Sequence, residues 1–218
     1  MEGTAWSAPQ GILTAAGLTP ATSGSTGQPT VYEDINGAIH VVGRVHQEGH
    51  LLDLKNDGAT GWTSEDITNK ARITDPNFPA ATYSPFVYRD TNGQFLVFRA
   101  VGGDLWKLTM TSPGQYQSGN LMLATSAVPC IGHPSAFVLN DIFHIIYRGK
   151  NKLIYEIRLD GLTWKTRSIC TEQAAADPVA SANATTGLVI FRTVGGVIQC
   201  ARYNGTAWNC GPVIPASS

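Results

Sequence analysis

Four arginines recur at matched positions. Arg44, Arg99, Arg148 and Arg192 each close a short apolar run (HVVGR, FLVFR, HIIYR, LVIFR), and each follows a proline (Pro29, Pro85, Pro134 or Pro178) by 14 or 15 residues. A second apolar segment comes a few residues later (LLDL, LWKL, LIYEI, VIQCA), and beyond a turn stands an aromatic: Trp62, Tyr116, Trp164 or Trp208. A guanidinium is a planar fork of donors and an aromatic ring is an apolar face, so the repeated pair is equipped for recognition. Catalytic equipment is not evident. There is no Gly-x-Ser-x-Gly, His-Glu-x-x-His, phosphate loop or Cys/His metal spacing. The acidic residues are scattered, mostly in turns, whereas a glycosidase needs two carboxylates flanking one bond. The chain therefore reads as a non-enzyme without a cofactor.

These residues need elements to hold them. Successive prolines lie 44 to 56 residues apart, and each unit holds several short apolar runs. That period is the mark of β-propeller blades, whose sheets bury their faces only by stacking on neighbours. In the third unit His144 to Arg148 alternate, Gly149 to Lys152 turn the chain, and Leu153 to Ile157 return. Asp160-Gly161 then turns it into the strand carrying Trp164, as Asp57-Gly58 and Asn204-Gly205 do in other units. Both faces of the middle strands are apolar, which suits blades sandwiched between blades. The expectation is an all-β fold, a small closed β-propeller of four repeats in one domain spanning residues 1–218, with helix nearly absent. The repeats are placed at about 18–68, 74–123, 128–170 and 175–214. Gly3-Thr-Ala-Trp6 resembles Gly205-Thr-Ala-Trp208, so an additional N-terminal outer strand is expected over 3–16, available to pair with another chain.

Composition bounds the partners. Of 218 residues only 14% are charged, 23 are glycine, and the formal net charge is −1. Without a basic run there is no electrostatic footprint for nucleic acid. No apolar stretch is long enough to span a membrane, and no signal peptide is visible at the N-terminus. Cys200 and Cys210 flank the Asn204-Gly205 turn, where a bridge is conceivable, and free thiols are an equal alternative. Asn183-Ala-Thr and Asn204-Gly-Thr are formal glycosylation triplets.

The strings HVVGR...HLLDL...GWTSEDIT, FLVFR...DLWKL and HIIYRGKNKLIYEI...DGLTWKTRSI resemble the repeats of fungal and bacterial propeller lectins that bind fucose or N-acetylglucosamine. The resemblance covers nearly the whole chain, with fewer units than those lectins usually carry. It implies glycan partners, multivalence and action outside cells or at their surfaces, with the compartment itself left open; homo-oligomers are expected from the spare edge strand. It also implies a sugar between adjacent blades, gripped by an arginine and a carboxylate and covered by an aromatic ring. The third unit fits with Arg148, Glu156 and Trp164. The first offers Arg44, Asp53 and Trp62. The second has Arg99, with Lys107 in the acidic column beside Trp106, and the fourth has Arg192 and Trp208 with Cys200 in that column. Other readings stay open: the arginines bond loop carbonyls between blades, the aromatics pack blades together, and His40 and His144 are packing residues. Gln28, Ser84, His133 and Asp177, just before the prolines, mark a second possible binding face at the centre. At the level of function the alternatives are a protein-binding adhesion or targeting module and, third, a glycosidase. Asp160-Gly-Leu-Thr-Trp164 has the turn of a sialidase box but lacks its serine.

Overall fold

The computed structural model describes residues 11–18, 28–34, 36–45, 48–90, 93–112 and 115–213. They build four antiparallel sheets of four strands, each a simple meander in chain order. Blade 1 is β1 (Thr30–Glu33), β2 (Ile39–Arg44), β3 (Leu51–Asn56) and β4 (Trp62–Asp66). Blade 2 is β5 (Phe86–Asp90), β6 (Gly93–Arg99), β7 (Leu105–Ser112) and β8 (Gln115–Asn120). Blade 3 is β9 (Cys130–Leu139), β10 (Ile142–Gly149), β11 (Ile154–Asp160) and β12 (Thr163–Ser168). Blade 4 is β13 (Val179–Ala182), β14 (Gly187–Arg192), β15 (Ile198–Tyr203) and β16 (Trp208–Pro212). The arginine runs are therefore the second strands, and the recurring aromatics belong to the outermost ones.

Residues paired across an antiparallel ladder share a face, and faces alternate along a strand. In β10 this sends Ile145 and Tyr147 to one side and Ile146 to the other. The first two join a core with Val97, Leu105 and Phe143 between blades 2 and 3. Ile146 and Ile154 join Val189, Phe191, Ala201 and Tyr203 between blades 3 and 4. A third core, with Val42, Leu51, Phe98, Leu108 and Tyr116, joins blades 1 and 2. Apolar residues on both faces of a middle strand are what stacking demands, because each face meets another sheet instead of water.

Short elements span the junctions outside the sheets. Asp66 ends β4 and caps α2 (Ile67–Thr74) by accepting from the Asn69 amide at 2.9 Å. Asn120 ends β8 and caps α3 (Leu121–Thr125), accepting from the Met122 amide at 2.9 Å. α2 lies against β8, and α3 lies against β12, so each helix closes the outer end of one junction. No helix follows β12. There Cys170 is joined to Cys210 of β16, with Cα atoms 6.0 Å apart, and the disulfide ties blade 3 to blade 4. Helix among the described residues is confined to short pieces, in line with an all-β fold, and the caps themselves were not foreseen because one or two turns carry too little periodicity to register.

Three further expectations are corrected. Cys210 pairs with Cys170 rather than with Cys200, because Cys210 stands opposite Ala201 and Cys200 opposite Gly211, which sends the two thiols to opposite faces. Cys130 and Cys200 are free. Within the expected strand over 3–16, Ile12–Ala15 form a helical turn, α1, with Ala15 and Ala16 amides bonded to the Gly11 and Ile12 carbonyls at 3.0 and 2.9 Å. Residues 3–10 lie outside the described residues. Finally, the expected closed ring is not seen among the described residues: buried cores join blades 1 and 2, 2 and 3, and 3 and 4, none joins blade 4 to blade 1, and Val31, Ile190 and Ile198 on the two end faces of this four-blade arc are exposed.

Candidate ligand-binding crevices between blades

The blade 3–blade 4 junction is the best-furnished crevice. Ladder pairs Ile146–Glu156, Arg148–Ile154 and His144–Arg158 place all six side chains on the face toward blade 4. Arg167 stands opposite Glu156 on β12 and shares that face. Glu156 is fully buried, accepts from Arg167 Nε at 2.5 Å, and bonds His144 Nδ1 at 2.7 Å. Burial alone would raise its pKa, but the hydrogen bonds from His144 and Arg167 outweigh it and hold the carboxyl below its ordinary value. From blade 4 come Tyr203 and Trp208, ring centroids 5.2 Å apart. Arg158 Nη1 donates to Tyr203 Oη at 2.6 Å, and the Arg167 guanidinium lies 5.0 Å over the Tyr203 ring. Trp208 Nε1, Arg167 Nη2 and His144 Nε2 are buried donors or acceptors with no partner among the described residues. Glu156 and Tyr203 are sealed while Arg158, Arg167 and Trp208 are partly exposed, so the groups able to meet a sugar's hydroxyls and C–H face are the two guanidiniums and the Trp208 ring, with the ionised carboxylate holding Arg167 in place beneath.

The predicted trio Arg148, Glu156 and Trp164 is not gathered in one place. Trp164 stands opposite Leu159 on the other face, toward blade 2, where Lys107 Nζ lies 6.0 Å over its ring. Burial lowers the Lys107 pKa. Arg148 shares the face of Glu156 but reaches out at the strand end, bonding the Ala175 carbonyl at 3.0 Å and pairing with Asp177 at 2.9 Å. Arg99 does the same one junction earlier, donating to the Cys130 carbonyl at 3.1 Å and lying 4.6 Å over Tyr83. These two arginines staple each blade to the segment leading into the next. Gly132 sits at one such staple with φ +74°, and any side chain there would collide with the Asp177 carboxylate.

The remaining candidates disperse. Asp53 is buried and bonds His40 Nδ1 at 2.8 Å, and His40 Nε2 lies 3.3 Å from Asp34. Burial works against protonation of His40, but Asp53 and then Asp34 outweigh it and raise its pKa. Trp106 packs edge-on against Phe78 in the first core. Trp62, opposite Asn56, faces away from blade 2 with Leu54 and Leu52. Arg44, opposite Leu51, shares the face of Asp53 toward blade 2 and stands at the strand end beside a groove on the outer side of blade 1, and Arg192 is exposed on blade 4. At the centre, Gln28, Ser84 and His133 line a cavity of about 660 Å³ with Pro29, Pro85 and Pro134. Asp177 instead accepts from the His133 amide at 2.8 Å.

Sequence reasoning missed the two histidines as site residues. Each lies 12 or 13 residues before the carboxylate it bonds, His144 before Glu156 and His40 before Asp53. A histidine–carboxylate spacing repeated across equivalent hairpins was the available signal. Among the described residues no cluster suited to a metal ion occurs, and no helix is long and apolar enough to cross a membrane.

Comparison with solved structures identifies the architecture. AofleA from Arthrobotrys oligospora superposes with a TM-score of 0.57 at 14% identity, over 85% of this chain and 56% of that one. A point mutant of the Aleuria aurantia lectin in complex with alpha-methyl-L-fucoside gives 0.56 at 13% identity, over 86% and 61%. The fold is a β-propeller. This propeller spans about three fifths of the length of those two proteins. An alpha-L-arabinofuranosidase from Clostridium thermocellum also superposes on it, with a TM-score of 0.53 at 14% identity, over 87% of this chain and 72% of that one. No protein-family model and no curated protein matches the sequence.

Proposed function

We propose that the chain is a carbohydrate-binding lectin, a single four-repeat domain that takes fucose- or N-acetylglucosamine-type sugars in its inter-blade crevices. The observation that carries this is the convergence of Glu156, Arg158 and Arg167 from blade 3 with Tyr203 and Trp208 from blade 4. Structural likeness to a lectin solved with a fucoside supports the same reading. Crevices differ in equipment, because the position of Glu156 is held by Asp53 in blade 1, Lys107 in blade 2 and Cys200 in blade 4. The blade 3–blade 4 crevice is therefore the principal site, and weak sites gain strength by acting together on a glycan-coated surface.

Binding rather than catalysis is favoured by the state of Glu156. Both its oxygens are already engaged and it is held ionised, so it has no proton to give a leaving group. The disulfide between Cys170 and Cys210 supports action outside the cell, where such bonds persist. A glycan array followed by competition with free monosaccharide tests the proposal. Retention on fucosylated or N-acetylglucosamine-bearing glycans, displaced by the free sugar, is the expected result. Binding that free sugar does not displace favours a protein partner, and turnover of a chromogenic glycoside favours a hydrolase.

A further inference from the structure

The two end faces of the arc are the unmatched halves of an interface the chain makes three times within itself. In blades 1 to 3 the face turned toward the next blade presents Val42, Val97 and Ile146 from the second strand and Leu51, Leu105 and Ile154 from the third. All six are sealed, none more than 1% exposed. The same two columns in blade 4 hold Ile190 and Ile198, which are 40% and 45% exposed, and Val179 beside them is 70% exposed. Blade 4 thus has the apolar face that a following blade would cover.

Blade 1 has the opposite half. Its outward face carries Val31, Ile39, Val41, Leu52 and Leu54, with Val31 62% exposed and Ile39 40%. Where blades 2, 3 and 4 place the buried rings Phe98, Tyr147 and Phe191 on that face, blade 1 has Gly43. The missing ring leaves a groove of about 250 Å³, lined by Ile12, Leu13, Val41, Leu52 and Leu54. Charge is complementary too: Arg192 and Arg202 lie on the blade 4 face, and Glu33 on the blade 1 face.

We propose that copies of this chain assemble head to tail, the Ile190–Ile198 face of one docking on the Val41–Leu54 groove of the next. Every internal junction pairs a face of the first kind with a face of the second, so a second copy is the partner for which both surfaces are already built. The contact is heterologous, using different patches on the two molecules, and continues the blade stack across the molecular boundary. It stands apart from the sugar-binding proposal, since neither end face contains a residue of the blade 3–blade 4 crevice.

The test uses Ile190→Glu and Val31→Glu, both at exposed positions that folding does not need sealed. Light scattering of the full chain over a dilution series is expected to give masses above 23.2 kDa that fall on dilution. Each variant alone is expected to be monomeric with an unchanged melting temperature. An equimolar mixture should recover a heterodimer, because one intact blade 4 face and one intact blade 1 groove remain. A monomeric parent chain, an assembly that either variant leaves intact, or a mixture that stays monomeric would overturn the proposal; the last two results would assign association to a like-with-like patch or to another segment.

Discussion

Arg148 Nη2 lies 2.9 Å from Asp177 Oδ1, and this pair fastens the end of β10 to the segment that leads into blade 4. The same guanidinium donates to the Ala175 carbonyl. An arginine so engaged serves the junction, and the guanidinium proposed to meet the sugar there is Arg167. Arg148→Ala should therefore lower stability by about 1–3 kcal/mol, the cost of leaving charged and carbonyl partners unmet. Its sugar affinity should stay at the parental value. Thermal melts and sugar titrations of one preparation check both halves of the statement.

The buried histidine–carboxylate pairs act in opposite pH windows. The pKa of His40 is raised above its ordinary 6.5, so its contribution to stability is complete below that value and is lost as pH rises through the folded value. Glu156 is depressed below its ordinary 4.5, so its contribution is complete above 4.5 and is lost as pH falls through the folded value. The stability gap between the parent and His40→Gln should shrink as pH rises above neutrality. The gap between the parent and Glu156→Gln should shrink in acid. Denaturant midpoints across pH measure both gaps, and reversed slopes would contradict the assignments.

Glu156→Ala should be far more damaging than Glu156→Gln. Removing one partner of a buried charged network leaves Arg167 and His144 uncompensated, at about 3–5 kcal/mol, whereas the amide retains an acceptor for Arg167. Comparison of urea midpoints for the two variants gives the difference.

Cysteine chemistry separates the four thiols. The Cys170–Cys210 bond closes a 40-residue span, so reduction or a double alanine variant should cost about 4 kcal/mol on the chain-entropy account. Burial pushes the Cys130 thiol up to about 12, while Cys200 is half-buried on the open face of blade 4. In the dissociated chain at high dilution a native-state thiol reagent should modify Cys200 and spare Cys130. Mass spectrometry of labelled peptides reads the outcome.

Much of the architecture was legible because it depends on short-range patterns that repeat. Proline-to-arginine spacing located all four second strands, and the Asp-Gly and Asn-Gly turns located hairpins. The site was less legible, because it depends on register and on neighbours distant in sequence. Arg148 and Glu156 do share a face, yet Trp164 lies on the other one, and the ring that meets Glu156's crevice is Trp208, from the following blade. Residues grouped within one unit do not all reach one crevice, since a crevice takes one wall from each of two units. Ring closure was illegible for a related reason. Ile190 and Ile198 look the same in sequence as Val42 and Leu51, and only the packed structure shows which columns are covered.

Calorimetric titration of L-fucose and N-acetylglucosamine into the full chain, the Arg167→Ala and Trp208→Ala variants, and Arg148→Ala as a folded control tests the central claim most directly. The account predicts saturable binding of one of these sugars with about −4 to −6 kcal/mol, in the sub-millimolar to millimolar range. It predicts a loss of about tenfold or more, some 1.4 kcal/mol, in each of the two crevice variants and none in Arg148→Ala. No heat with either sugar, or equal affinity in the parent chain and Arg167→Ala, would contradict it.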